Sequence, residues 1–74
     1  MDIKEALEWA KGGIFTREYL NEFEPRHKIV KSRRDAFKLK KLWIKEGFIT
    51  KFKKVGFSDL AREEVYLVYG VRRR

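Results

Sequence analysis

Apolar positions along this chain follow two periods, helical in the first two thirds and alternating in the last. Ile3, Ala6, Leu7 and Ala10 are spaced i, i+3, i+4, i+7, as on a helix with one buried face, and Asp2 just before them is a suitable N-cap. Gly12 and Gly13 end that helix, because glycine accepts the positive φ found just past a helix terminus. Ile14 and Phe15 read as a short extended stretch, and Thr16 as the cap of a second helix with Tyr19, Leu20 and Phe23 on its inner face. Pro25 disfavours the α region at Glu24, so the second helix stops there. Residues 26–31 read as a basic connector, with Ile29 and Val30 tucked into the core.

Ser32 followed three residues later by Asp35 is a capping-box-like signature, with Asp in place of the usual Glu. It starts a third helix that runs to Gly47, although nothing from Arg26 to Ser32 forbids an earlier start. On a wheel of 100° per residue, Arg34, Lys38, Lys41 and Lys45 fall within about 60° of one another, a narrow cationic ridge. Ala36, Leu39, Leu42 and Trp43 cover one flank and the back of the helix, and Phe37 and Ile44 the other flank. No acidic residue shares the ridge, whereas exposed helices commonly interleave Glu with Lys.

Beyond Gly47 the period becomes two. Phe48 to Val55 reads as a strand with Lys51 and Lys53 on one face and Phe48, Thr50 and Phe52 on the other. Glu64 to Val71, dense in Val, Tyr and Leu, reads as a second strand. The intervening Gly56 to Glu63 is too long for a two-residue hairpin turn and is expected to protrude, with Phe57 near its tip. The pattern gives one α+β domain over residues 1–74: three helices and a C-terminal β-hairpin.

Composition narrows the functional classes. Seventy-four residues sit near the lower limit for an independent fold and leave no room for separate catalytic and substrate domains. Eleven aromatics supply a core, so disorder is not expected. The absence of cysteine excludes disulfides and thiolate zinc sites. No apolar run reaches the length of a membrane span and no signal-peptide pattern is present, from which a soluble, cytoplasmic protein is expected. Gln is absent, Asn and Met occur once each, and Lys, Arg and Glu abound, a bias shared with hyperthermophile proteins and hinting at an archaeal source.

The net charge of +8 is unevenly distributed. Residues 1–24 carry three basic against six acidic side chains, and residues 25–74 carry sixteen against five. Such segregation favours a polyanionic partner beyond what solubility requires.

The order helix, short strand, helix, helix, strand, loop, strand resembles the winged helix-turn-helix family of DNA-binding domains, over nearly the whole chain. The most specific part is Leu42-Trp43-Ile44-Lys45-Glu46-Gly47-Phe48-Ile49, similar to that family's passage from recognition helix through glycine into the first wing strand. Phe15-Thr16 and Val30-Lys31-Ser32 resemble its entries to the second and third helices. The resemblance implies a recognition helix in the major groove and a wing on the backbone or minor groove. It places Ser32, Arg33, Arg34, Lys38, Lys41 and Lys45 on the recognition helix, and Lys51, Lys53, Lys54 and Arg62 on the wing. Two departures stand against it: the long connector from Glu24 to Lys31, and the lack of an additional dimerising helix, which leaves monomer and homodimer both open.

The third helix lacks Asn and Gln, the side chains that read adenine bidentately, so base readout falls to Arg33 and Arg34, with guanine as their target. Arg72 to Arg74 read as a basic tail adding non-specific affinity. An enzyme is not expected. His27, the single histidine, has no nucleophile or paired carboxylate near it in sequence, Glu22/Glu24 and Glu63/Glu64 lack metal-ligand spacing, and Gly12-Gly13 precede no phosphate-loop lysine. No cofactor, metal, membrane or small-molecule substrate is expected. The leading expectation is a small transcriptional regulator that binds duplex DNA. The alternatives are an RNA- or ribosome-associated protein, and an adaptor in a replication or transcription assembly that uses Trp9, Tyr19 or Phe57 as anchors.

Overall fold

A computed structural model describes residues 1–58 and 63–74. The elements are α1 (Ile3–Gly12), α2 (Arg17–Glu22), β1 (Phe23–Val30), α3 (Arg33–Lys45), β2 (Ile49–Ser58) and β3 (Glu63–Arg73). The three strands form one antiparallel sheet in the order β1-β3-β2. The chain is thus a small α+β domain with three helices among the described residues.

The helix ends follow local chemistry. The Asp2 carboxylate accepts from the Glu5 N–H at 2.8 Å, the Thr16 hydroxyl from the Tyr19 N–H at 3.2 Å, and the Ser32 hydroxyl from the Asp35 N–H at 3.1 Å. Gly13, at φ 75°, closes α1 by donating to the Trp9 carbonyl. Gly47, at φ 93°, closes α3 with the paired bonds of a Schellman turn. The Phe48 N–H donates to the Trp43 carbonyl and the Gly47 N–H to that of Ile44, each at 3.0 Å. Phe48 and Trp43, the positions that such a turn brings together, have ring centroids 6.4 Å apart. The same turn aims the chain into β2.

Residues 26–31 are not a connector. Arg26–Val30 form most of β1, which pairs with β3 from Phe23↔Arg73 to Val30↔Tyr66. The observed order is therefore helix, helix, strand, helix, strand, strand, and Ile14-Phe15 are not a strand. The alternation of β1 was hidden because its inward positions facing α3 include Glu24 and Arg26, which are half-buried as ion-paired groups. Pro25 is compatible with β1 because the strand lies at a sheet edge. The Arg74 N–H donates to the Glu22 carbonyl, so even-numbered residues of β1 bond to β3 and the missing N–H of Pro25 faces outward.

Successive side chains of β3 point to opposite faces, and both faces are covered. On one, Tyr69 and Val71 join Ala6, Leu7 and Ala10 of α1, Tyr19 of α2 and Phe23 in a buried cluster. On the other, Tyr66 and Val68 join Ala36 and Trp43 of α3 and Phe48. The sheet is the middle layer, with α1 and α2 on one side and α3 on the other. Tyr19 pins the first layer: its ring stacks on Trp9 and Phe15 at 5.4 and 5.1 Å, and its buried hydroxyl donates to the Ala6 carbonyl at 2.6 Å. Burial raises the Tyr19 pKa. Gly70 sets the spacing of the second layer, since a Cβ there would lie 2.9 Å from Thr50 Oγ1, 3.1 Å from the Ile49 carbonyl oxygen and 3.4 Å from the Trp43 ring.

The core expectations hold for Ala6, Leu7, Ala10, Tyr19, Phe23, Ala36 and Trp43. Strand alternation separates Ile29 from Val30: Val30 packs under α3, whereas Ile29 is 55% exposed on the opposite face. Leu20 and Leu42 are also exposed. The hairpin is longer than expected, because β2 continues past a bulge at Lys54/Gly56 and pairs through Ser58↔Glu63. Phe57 accordingly lies within β2, opposite Glu64. This long hairpin accounts for extents of 41 × 24 × 15 Å and a radius of gyration of 13.0 Å, above the roughly 11 Å of a rounder domain this size.

Candidate nucleic-acid interface

The helix α3 presents its cations outward because its apolar stripe is fixed inward. Ala36 and Trp43 are buried against the sheet, and Leu39 is half-buried beside them. Half a turn away, Arg34, Lys38, Lys41 and Lys45 are all exposed. They form no ion pair among the described residues. The ridge is flanked by exposed apolar side chains, Leu42 at 54% on one side and Ile44 and Phe37 at 51% and 43% on the other. Phe37 is held by an edge-on contact with Phe52, and the Arg33 guanidinium lies 5.4 Å from the Phe37 ring centroid. Ser32 is the half-buried N-cap, occupied with the Asp35 N–H.

The residues expected on the wing do not all share this face. Lys51 pairs with Tyr69 and Lys53 with Leu67, so both point to the α1 side of the sheet. Lys51 there borders a cleft with Ile3, Lys4, Leu7, Glu8 and Ile49. Lys54 is on the α3 side, where its ammonium lies 3.7 Å from the Glu64 carboxylate. The Tyr66 hydroxyl donates to Glu64, and that bond, with Lys54 and Arg33 nearby, holds the Glu64 carboxyl below its ordinary range. The same bond raises the Tyr66 pKa. Arg62 lies outside the described residues. Lys51 and Lys53, expected on the wing from the resemblance, therefore do not extend the cationic face of the third helix.

Arg72 to Arg74 are not a free tail either. Arg72 binds Glu24 at 3.0 Å and donates to the Glu46 carbonyl, and its guanidinium lies over the Phe48 ring. Arg73 pairs with Glu22 at 2.9 Å, and Arg74 donates to the Leu20 and Phe23 carbonyls. Arg26 joins the same cluster, 3.0 Å from Glu46 and 4.2 Å from the Phe48 centroid. These arginines tie the first and last strands to both helix termini. Each partly exposed pair contributes little alone.

One cation that the sequence reading left out belongs to the α3 face. Lys28, at an even position of β1, lines a groove of about 320 Å³ with Val30, Asp35, Lys38, Leu39 and Leu42. Reading residues 26–31 as a strand was the signal needed to find it. Of the adaptor anchors, Tyr19 is buried, and Trp9 is 37% exposed with one face stacked on Tyr19. His27 is exposed on β1. Among the described residues, no group of three His, Cys, Asp or Glu side chains is placed to hold a metal ion. No helix among the described residues is long and apolar enough to cross a membrane.

Comparison with known proteins yields no match for this chain among family models, curated proteins or solved structures.

Proposed function

We propose that this protein binds duplex DNA through the outward ridge of α3, as a small regulator that contacts phosphates strongly and reads sequence modestly. The observation that carries the reading is the ridge itself: four cations on one helix face that form no ion pair among the described residues, directly opposite the residues that anchor the helix to the sheet. A 13-residue helix spans about 20 Å and fits a major groove about 12 Å wide. Phosphate contacts by Arg34, Lys38, Lys41 and Lys45 would release condensed counterions and supply affinity. Arg33 and Arg34, at the first turn, are the side chains suited to guanine edges.

In this reading α3 plays the part of a recognition helix and the β2–β3 hairpin that of a wing, an arrangement like the winged-helix one in its C-terminal half. The N-terminal half differs, since β1 separates α2 from α3 and replaces a tight helix-turn-helix. Among the described residues, Lys54 is the lysine of the hairpin on the same face as the ridge, and Glu64 beside it reduces its pull on a phosphate. Contact is thus concentrated on the helix. The RNA-binding and adaptor readings make different predictions: preference for an A-form duplex, or no nucleic-acid binding at low salt. The direct test replaces Lys38 and Lys41 by Glu and measures binding to a mixed-sequence DNA duplex. A folded double mutant that binds like the parent removes the ridge from the account.

A further inference from the structure

The two sides of α3 differ in how their cations are engaged. Toward β2, Lys54 is matched by Glu64 at 3.7 Å, the Arg33 guanidinium lies 5.4 Å from the Phe37 ring centroid and the Lys40 ammonium 5.8 Å from that of the half-buried Phe52, with Ile44 beside them. Lys51 and Lys53 point to the other side of the sheet. Toward β1, the groove beside the helix has an apolar floor of Val30, Leu39 and Leu42, with Lys28 and Lys38 at its borders. Its one carboxylate is Asp35, whose backbone N–H is held by the Ser32 cap.

On β1 the α3-facing positions are Glu24, Arg26, Lys28 and Val30. Arg26 is engaged by Glu24 and Glu46, and Glu24 is also bound by Arg72. Lys28 has no ion-pair partner among the described residues. It is also exposed, on an edge strand that no other strand covers on its outer side.

We infer that Lys28 is a phosphate-contacting residue, and that the DNA backbone bordering the α3-filled groove runs along the α3/β1 side, across Lys38 to Lys28, and not along the hairpin. This inference rests on the α3 ridge being the DNA-binding surface and specifies the direction in which that surface extends. The occupant follows from charge complementarity: two lysines bordering one groove, continuous with a four-cation ridge, suit a strand of phosphodiesters. Asp35, on the path, opposes the nearest phosphate and tunes affinity downward.

The test measures affinity for a mixed-sequence DNA duplex against salt for the full chain and for Lys28→Gln, Lys28→Arg, Lys53→Gln, Asp35→Asn and Lys38→Gln/Lys41→Gln, with circular dichroism confirming the fold of each. Lys28→Gln is expected to lower affinity and make the slope of log K against log salt shallower by about one, with Lys28→Arg keeping the parental slope. Lys53→Gln, on the other side of the sheet, is expected to keep the parental slope, and Asp35→Asn to bind more tightly than the parent. If Lys28→Gln keeps the parental slope while Lys38→Gln/Lys41→Gln loses it, the β1 path is wrong and the ridge stands. Equal effects of Lys28→Gln and Lys53→Gln would overturn the path in favour of a diffuse charge effect. Parental binding by Lys38→Gln/Lys41→Gln would overturn the ridge, and this inference with it.

Discussion

Lys38 and Lys41 project from consecutive turns of α3 on the side opposite Ala36 and Trp43, so changing them touches charge without touching the core. The double substitution Lys38→Glu/Lys41→Glu is expected to abolish DNA binding while leaving the circular dichroism spectrum and melting temperature near those of the parent. Ser32 is different, because its hydroxyl holds the Asp35 N–H, and Ser32→Ala should cost about 1 kcal/mol in denaturant unfolding. Glu64 links charge to pH. Its folded-state pKa lies below the unfolded one, so its stabilising contribution is present above the ordinary carboxylate range and is lost as pH falls through the depressed value. The stability difference between parent and Glu64→Gln should therefore be largest near neutral pH and shrink on acidification, which paired unfolding titrations will read. At this scale the ridge was legible in the sequence because its residues recur at helical spacing on one element. The engagement of Arg72 with Glu24 was not, since 48 residues separate them and only β1–β3 pairing brings them together.

Among the elements, the three helices and the two C-terminal strands were readable because each carries its own period and its own stop. The capping residues Asp2, Thr16 and Ser32 and the terminating Gly13 and Gly47 act within a few residues of where they stand. The strand β1 was not readable. It is an edge strand of eight residues containing Pro25 and four charged or titratable side chains, and its alternation makes sense only once α3 and Glu46 are in place to receive Val30 and Arg26. Gly70 was a missed sign of the same kind, since glycine inside a strand signals close approach of another group. Gly70→Ala should destabilise the fold by about 1–3 kcal/mol, because the Ile49 carbonyl 3.1 Å from the new Cβ is backbone and cannot swing aside. Gly47→Ala should cost about 1 kcal/mol through the positive φ alone, as nothing crowds that position. Thermal or urea unfolding of the two variants separates crowding from backbone strain.

For the whole molecule, the layered arrangement decides which cations act together. A linear count treats Lys51, Lys53 and the α3 ridge as one basic region, yet the sheet puts the first two on the α1 side and the ridge on the other. The charge asymmetry of the chain is likewise reduced by strand pairing. Glu22 and Glu24, in the acidic N-terminal third, are bound by Arg73 and by Arg26 and Arg72. Among the described residues the helix ridge and Lys28 beside it form no ion pair, and it is this surface that is proposed to bind duplex DNA. The most direct measurement is a salt titration of binding to a mixed-sequence DNA duplex, with an RNA duplex of equal length in parallel. With about four to six phosphates neutralised, log K should fall against log salt with a slope of roughly −4 to −5, and DNA should be bound more tightly than RNA. Equal or tighter binding to RNA, or no binding to either duplex at low salt, would contradict the account.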